Sequence, residues 1–128
     1  MKIIKTKINF QDERGLIRDV ITATSIDAIT FITCKNGSIR GNHYHNKTMQ
    51  YDYILKGSFE CYGKENDSAP LEKNLVTVGD TIIHQFPHRH AYKALEDSEM
   101  ISCTFGPRQG DQYEDDTFRL KDENKLVS

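Results

Sequence analysis

The sequence has no apolar run that approaches the roughly 20 residues needed to span a bilayer. Its start, MKIIKTKINF, alternates charged and apolar residues and lacks the apolar core of a signal peptide. No basic stripe stands out, and 17 basic residues against 19 acidic ones give a net charge of −2. These absences predict a cytoplasmic protein with no membrane association and no nucleic-acid partner.

Cysteine is also scarce, and its pattern excludes two further classes of protein. Cys34, Cys61 and Cys103 are odd in number, far apart and set in apolar, strand-like runs. None forms a CxxC pair, so a zinc ribbon is excluded, and a disulfide framework is not expected. We predict buried free thiols.

Helical periodicity is nearly absent, and the 128 residues suit one domain. Short runs such as AITFITCK, YDYILKG and EMISCTFG are rich in Ile, Val, Thr, Tyr and Phe and alternate with turn signals such as KNG and VGD. This rhythm predicts an all-β sandwich or barrel. We assign to its core Phe10, Ile29, Phe31, Ile54, Val76, Ile82 and Ile101.

The chain changes character after Pro107, where it becomes polar and charge-dense. We therefore predict a β-barrel over residues 1–107 and a polar, partly ordered C-terminal extension of the same domain over residues 108–128. The only anchors expected in the extension are Tyr113, Phe118 and Leu120.

Two histidines stand one residue apart in the run SIRGNHYHNKTMQ, residues 38–50. Residues i and i+2 of a strand share a face, so His43 and His45 project together. Their neighbours Asn42, Tyr44 and Asn46 suit an exposed face, which predicts that the imidazoles face the interior. An unsatisfied buried polar group costs about 1–3 kcal/mol, so the pair calls for a metal ion or a bound polar ligand.

A second histidine-rich run is GDTIIHQFPHRHAYKAL, residues 79–95. Pro87 interrupts the strand there, and His90 opens the next strand, which would aim its side chain back across the barrel. We expect His84 and His88 to be structural or exposed. Asp52 shares the parity of Gln50, and the sequence leaves open whether it faces inward or lies on a solvated rim.

The first histidine run resembles the first motif of the cupin superfamily, G-x5-H-x-H-x4-E-x6-G. The chain fits every spacing of that motif with Gly37, His43, His45, Gln50 and Gly57, and Gln50 replaces the glutamate. The second cupin motif is matched more loosely by Gly79, Pro87 and His90, with Ala94 at its Asn position. The resemblance implies a small double-sheet jelly-roll β-barrel. It also implies that any bound divalent metal (Zn, Fe, Mn or Ni) is held by His43, His45, Gln50 and His90.

The same run resembles a narrower group of RmlC-like cupins, the 3,4-ketoisomerases of dTDP-4-keto-6-deoxyhexoses, whose pattern is R-G-x-H-x-H-x4-Q. Arg40, Gly41 and Gln50 fit this pattern together with the histidine pair, and FQDERG resembles the D-x-R-G turn of those enzymes. The run RGNHYH is also similar to the cupin domain of capsule-sugar epimerase/reductases. The ketoisomerase resemblance implies histidines that move protons on a sugar and require no cofactor.

These resemblances imply an isomerase or epimerase of a 4-keto-6-deoxyhexose linked to dTDP or UDP, in surface-polysaccharide biosynthesis. Moving a keto group, or inverting the adjacent carbon, needs a base near neutral pKa, and we assign that role to His43 with His45 as its partner. His45, Tyr92 or a metal would steady the enediolate oxygen. Arg40 would pair with the diphosphate, and Gln50 and Arg108 are further substrate-binding candidates.

Two other functions stay open on the sequence. One is a metal-dependent small-molecule enzyme such as a dioxygenase, which Gln50 disfavours because an amide oxygen lacks the carboxylate charge. The other is a non-catalytic sugar-binding or regulatory cupin. In each case we expect a homodimer, because open β-sheets leave edges that need cover.

Overall fold

The protein is described here by a computed structural model that covers residues 1–107, 110–112 and 114–128. The predictions for Arg108 and Tyr113 lie outside these residues. Within the described residues, twelve strands form in chain order: β1 (Lys2–Lys5), β2 (Ile8–Asp12), β3 (Gly15–Arg18), β4 (Ala28–Cys34), β5 (Ile39–Tyr44), β6 (Met49–Lys56), β7 (Ser58–Lys64), β8 (Glu72–Thr77), β9 (Asp80–His84), β10 (Arg89–Ala94), β11 (Ser98–Phe105) and β12 (Phe118–Arg119). Two single-turn 3₁₀ helices span Gly110–Gln112 and Asp122–Asn124.

The strands form two antiparallel five-stranded sheets, one ordered β1-β9-β6-β11-β4 and the other β12-β5-β10-β7-β8. A separate hairpin joins β2 to β3. This is the jelly-roll arrangement that the sequence predicted. No helix among the described residues has the length and apolar character that a membrane crossing requires.

The core lies between the two sheets and is built from β-branched, aromatic and sulfur-containing side chains. Ile54, Val76 and Ile82 are fully buried there, as predicted. The aromatic rings of Phe59 and Tyr92 pack edge to face, with their centroids 5.5 Å apart. The cysteine prediction is confirmed, because all three thiols are free and buried.

Three of the predicted core residues are exposed. Ile29 and Phe31 are 71% and 60% exposed, and Phe10 is 51% exposed. In β4 the residues that alternate with Ile29 and Phe31 are the ones that turn inward, among them Ile32 and Cys34. Phe10 lies on the separate hairpin. Ile101 is half-buried. Apolar character alone did not distinguish the buried face of the edge strand β4 from its exposed face.

The C-terminal extension packs against the barrel. Its strand β12 pairs with β5, which places Arg119 opposite His43. Leu120 and Leu126 are buried in a small apolar cluster with Tyr62 and Ala91. Phe118 is 40% exposed, and its ring stacks on that of Tyr44 at 5.4 Å.

Candidate functional site

Three histidines from two neighbouring strands meet inside the barrel. His90 of β10 lies opposite His43 of β5 in the strand register, and His45 follows directly after β5. Their ring centroids are 4.6 Å apart for His43 and His90, 5.0 Å for His43 and His45, and 5.4 Å for His45 and His90. One nitrogen from each ring lies within 4.8 Å of the others. His45 and His90 are buried and His43 is half-buried, so the inward orientation predicted for the H-x-H pair is what the structure shows.

A bulge in β5 sets this register. His90 pairs with His43 and Ala91 pairs with Gly41, so Asn42 is the extra residue. Gly41 and Asn42 both have positive φ, 91° and 57°. A Cβ at Gly41 would lie 2.8 Å from the carbonyl oxygen of His90 and 2.9 Å from the Cα of Ala91. Glycine is therefore required at this position for backbone conformation and for close approach of the two strands.

Gln50 connects the cluster to a buried carboxylate. Its Oε1 lies 3.1 Å from Nε2 of His45, and its Nε2 lies 3.1 Å and 2.9 Å from Oδ1 and Oδ2 of Asp52. Asp52 is fully buried, which answers the question that the sequence left open. Its parity with Gln50 on β6 was the signal for this placement.

Tyr92 and His84 complete a hydrogen-bonded group around Asp52. The Tyr92 hydroxyl donates to Oδ2 of Asp52 at 2.6 Å, and Nε2 of His84 lies 2.6 Å from the same hydroxyl. Because the hydroxyl proton is directed to Asp52, His84 donates to the Tyr92 oxygen. Burial, reinforced by the charge of Asp52, raises the pKa of Tyr92 well above its ordinary value. Burial alone would raise the pKa of Asp52, but its interactions with His84 and its other hydrogen bonds hold it below 3.8.

His84 is thus buried beside the cluster, and its ring stacks on that of His90 at 4.3 Å. Of the two placements that the sequence left for it, structural and exposed, the structure shows a buried residue in the network. His88 is half-buried, and its backbone N–H donates to the carbonyl of Gln85.

His45 faces two hydrogen-bond acceptors. Its Nδ1 lies 2.8 Å from the backbone carbonyl oxygen of Asp116, and its Nε2 faces Oε1 of Gln50. A neutral imidazole carries one N–H and can donate to only one of these oxygens. In a neutral ring the second contact sets a nitrogen lone pair against an oxygen, an arrangement that a cation bound by both atoms would satisfy.

Asp116 anchors the C-terminal extension at this point. Its carboxylate accepts hydrogen bonds from the backbone N–H groups of Asn46 and Lys47 and from the hydroxyl of Thr48, at 3.1, 2.9 and 2.8 Å. Burial raises the pKa of Asp116, but these three hydrogen bonds outweigh it and hold the pKa below 3.8. The sequence analysis missed Asp116, because no motif or spacing distinguishes it within the acidic run EDD.

The cluster has the donor set of a divalent-metal site. Burial, with the other histidines nearby, holds the pKa of His90 well below its ordinary value, so this ring stays neutral. Neither ring nitrogen of His90 has a hydrogen-bond partner among the described residues. Three imidazoles and one amide oxygen suit zinc or a neighbouring transition metal. The residues present therefore fit a metal held by His43, His45, His90 and Gln50.

A cavity of about 540 Å³ opens onto the cluster. Its buried lining includes Gln50, His90 and Tyr92, and its exposed lining includes two arginines, Arg40 and Arg119. The predicted site residues His43, Gln50, His90, Tyr92 and Arg40 therefore share one cavity.

Both arginines are held by protein groups. Arg40 donates from Nη2 to the carbonyl of Thr33 at 2.9 Å, and Arg119 donates from Nη2 to both carboxylate oxygens of Glu114 at 2.9 and 3.0 Å. Arg119 and Glu114 belong to the C-terminal extension and were not among the predicted site residues.

Known proteins resemble the chain in sequence and in fold. Residues 10–118 match the family described as the polysaccharide biosynthesis C-terminal domain. The pectin degradation protein KdgF of Dickeya dadantii is 26% identical over 97 residues, which span 76% of this chain and 83% of that protein.

Among solved structures, the dTDP-4-dehydrorhamnose 3,5-epimerase of Sulfolobus tokodaii superposes with a TM-score of 0.79 at 17% identity, over 98% of this chain and 78% of that one. A 3,4-ketoisomerase of Helicobacter canadensis superposes with a TM-score of 0.77 at 17% identity, over 95% and 92%. The capsular polysaccharide assembling protein CapF of Staphylococcus aureus has a TM-score of 0.63 at 18% identity, over 91% of this chain and 32% of that one.

The solved structures share the fold, and the family match covers most of the chain. The chain belongs to the polysaccharide biosynthesis C-terminal domain family, and its fold is that of the RmlC-like cupins.

Proposed function

We propose that the protein isomerises or epimerises a 4-keto-6-deoxyhexose linked to dTDP or UDP, by histidine-mediated proton transfer, in surface-polysaccharide biosynthesis. The observation that carries this proposal is one cavity that combines the histidine cluster with two arginines at its exposed lining. The family description and the epimerase and ketoisomerase relatives support the same class of reaction.

His43 is the base in this proposal, because it lines the cavity and is half-buried. It takes a proton from the carbon beside the sugar carbonyl, and the electron pair of that C–H bond moves into an enediolate. To move the keto group, the His43 imidazolium returns a proton to the former carbonyl carbon, and the hydroxyl proton of the first carbon passes to the former carbonyl oxygen. To invert the first carbon, water protonates it on the face opposite His43, and His43 releases its own proton to solvent. His45 does not line the cavity, and both its ring nitrogens face protein oxygens, so it would act as a buried neighbour of His43 and not as a contact to the sugar.

Arg40 and Arg119 would bind the diphosphate in this scheme. The guanidinium fork suits two-point contact with phosphate oxygens. Arg119 is paired with Glu114, so binding a phosphate there exchanges one anionic partner for another. Tyr92 would support the site as a neutral phenol, because its hydroxyl is already engaged with Asp52 and His84.

A second candidate function is a divalent-metal cupin, either a metal-dependent small-molecule enzyme or a sugar-binding module without turnover. The unpartnered ring nitrogens of His90 favour it. His43, His45, His90 and Gln50 would hold the ion, and the metal would supply Lewis-acid polarisation of a substrate oxygen.

The test is solvent-exchange mass spectrometry in D₂O with dTDP- and UDP-linked 4-keto-6-deoxyglucose. We expect deuterium at the carbon beside the ketone, and a loss of about 10²- to 10⁴-fold in rate in His43→Ala, the usual contribution of a general base. His88→Ala is the matched control, since that histidine lies outside the cluster. An unchanged rate in His43→Ala rejects the proposal.

Metal analysis of the same untagged preparations, with and without chelator, separates the two candidates. Exchange that survives chelation supports the metal-independent reaction. A near-stoichiometric metal in the untreated protein, together with loss of exchange after chelation, supports the metallocupin. Tight nucleotide-sugar binding without any exchange supports the binding module and contradicts the proposed isomerase.

A further inference from the structure

Asp52 is a buried carboxylate next to the candidate site that is absent from the described lining of the cavity. Its contacts include Gln50, Tyr92 and His84, and Gln50 and Tyr92 line the cavity. A group in this location cannot touch a substrate in the cavity. It can act on the reaction only through the side chains that it holds.

The contact with Gln50 fixes which end of the amide faces the histidines. A carboxylate accepts hydrogen bonds and has none to donate, so the NH₂ end of Gln50 must face Asp52. Both carboxylate oxygens lie within 3.1 Å of that nitrogen. Turning the amide over would place its oxygen against two carboxylate oxygens at the same distance, with no hydrogen between them. The oxygen of Gln50 is thereby directed to Nε2 of His45.

This orientation decides what the cluster can bind. His45 has a carbonyl oxygen at Nδ1 and, because of Asp52, a second oxygen at Nε2. If the amide were reversed, its NH₂ group would donate to Nε2 and both contacts of His45 would be satisfied by a neutral ring. With the amide as found, the oxygen of Gln50 and the ring of His45 face each other as two donors that a cation could share.

We propose that Asp52 is a positioning residue that turns the carbonyl oxygen of Gln50 toward His45 and so gives the histidine cluster an oxygen donor. The effect of Asp52 on turnover rests on the proposed function. Its effect on the orientation of the Gln50 amide does not. The general cupin motif has a carboxylate at position 50. In this chain the carboxylate lies two residues later, at Asp52, and acts through an amide.

The direct test is NMR of the Gln50 side-chain amide in the full chain, with the signals assigned by their loss in Gln50→Glu. In the wild type we expect two well-separated amide protons that exchange slowly with solvent. In Asp52→Asn the amide is free to turn over, and we expect the separation and the protection to be lost. Tyr92→Phe is the matched control, because it removes a different hydrogen bond from Asp52 and leaves the Gln50 contact in place.

A swap variant keeps the test decisive if Asp52→Asn does not fold. Gln50→Glu alone brings two carboxylates to about 3 Å and should be destabilised. The double variant Gln50→Glu/Asp52→Asn lets the new amide at position 52 donate to the new carboxylate, whose second oxygen then faces His45. We expect the double variant to be more stable than Gln50→Glu. Two results would overturn the proposal. One is a double variant that is no more stable than Gln50→Glu. The other is a Gln50 amide whose proton separation and protection are the same in the wild type and in Asp52→Asn.

Turnover provides the functional readout. In the exchange assay, Asp52→Asn should lower kcat about 10- to 100-fold, the usual loss when a group that orients a metal ligand is removed. KM should be nearly unchanged, since Asp52 does not line the cavity. The swap variant should recover part of the loss. A fall confined to KM contradicts the proposed role. If the wild type has no exchange activity, the proposed function fails, and the NMR result still decides whether Asp52 orients Gln50.

Discussion

Removal of the Asp116 carboxylate tests whether the C-terminal extension holds the first histidine run in place. This side chain joins the extension to residues 46–48 through three hydrogen bonds, while its backbone carbonyl contacts His45. Asp116→Ala removes the three side-chain bonds and retains the carbonyl. Asp115→Ala is the matched control, because that neighbouring acid is exposed.

The expected loss follows from the burial of the three donors. Thr48 is fully buried, so its hydroxyl loses a charge-assisted bond without replacement, at a cost of about 1.5–3 kcal/mol. Asn46 and Lys47 are exposed, and water replaces the carboxylate at their N–H groups at a cost of about 0.5 kcal/mol each. The sum is about 3 kcal/mol, a sizeable part of a total stability of about 5–15 kcal/mol. For a chain of this length it lowers Tm by about 10 °C.

Urea unfolding at several pH values, followed by circular dichroism, measures this loss. Because the folded pKa of Asp116 is depressed below 3.8, its stabilisation is complete above the unfolded value and is lost as the pH falls through the folded value. The difference in free energy of unfolding between the wild type and Asp116→Asn should therefore be largest at pH 7 and should shrink as the pH falls below about 4. An Asp116→Ala loss no larger than that of Asp115→Ala, or a wild-type to Asp116→Asn difference that does not change with pH, would refute the reasoning.

Three further predictions concern the bulge, the phosphate contact and the assembly. Gly41→Ala should cost at least about 2 kcal/mol in urea unfolding and abolish exchange activity, because its Cβ meets the carbonyl of His90 at 2.8 Å and φ is +91°. Arg40→Lys loses the planar fork and should raise KM for the nucleotide sugar about tenfold with kcat kept, measured by steady-state kinetics. Ile29 and Phe31 expose apolar surface on the edge strand β4, so we expect the chain to form a homodimer through this surface. Sedimentation velocity should show a dimer for the wild type and a monomer for Phe31→Asp. An unchanged sedimentation coefficient in Phe31→Asp would contradict that interface.

The fold was predictable because its signals are local. Alternating apolar residues and turn residues mark the strands, and the spacing from Gly37 to Gly57 fits a cupin motif across one strand, a turn and the next strand. The H-x-H parity likewise fixed the inward direction of two histidines. What failed was the assignment of faces on β4, where Ile29 and Phe31 point outward. Apolar side chains occur on both faces of that strand, so parity alone could not tell which face is buried.

The rest of the site depends on contacts between distant parts of the chain, which spacing does not encode. Asp116 contacts His45 across 71 positions, and Tyr92 contacts Asp52 across 40. Asp52 had a local signal in its parity with Gln50, and that signal was equally compatible with a solvated rim. Asp116 had none, because acidic residues are abundant in the extension and only the fold distinguishes the buried one from its neighbours.

The extension contributes to the site at three separate points. Its strand β12 covers the edge of β5 beside His43, Asp116 fixes the ring of His45, and Arg119 with Glu114 lines the cavity. The change in composition after Pro107 therefore reflects a change in solvent exposure. The candidate site itself contains residues from both sides of Pro107. A substrate that displaces Glu114 from Arg119 would act on the segment that also carries the carbonyl contact of His45. If the proposed diphosphate contact at Arg119 forms, residues 114–119 would connect it to the carbonyl group that holds the buried ring of His45.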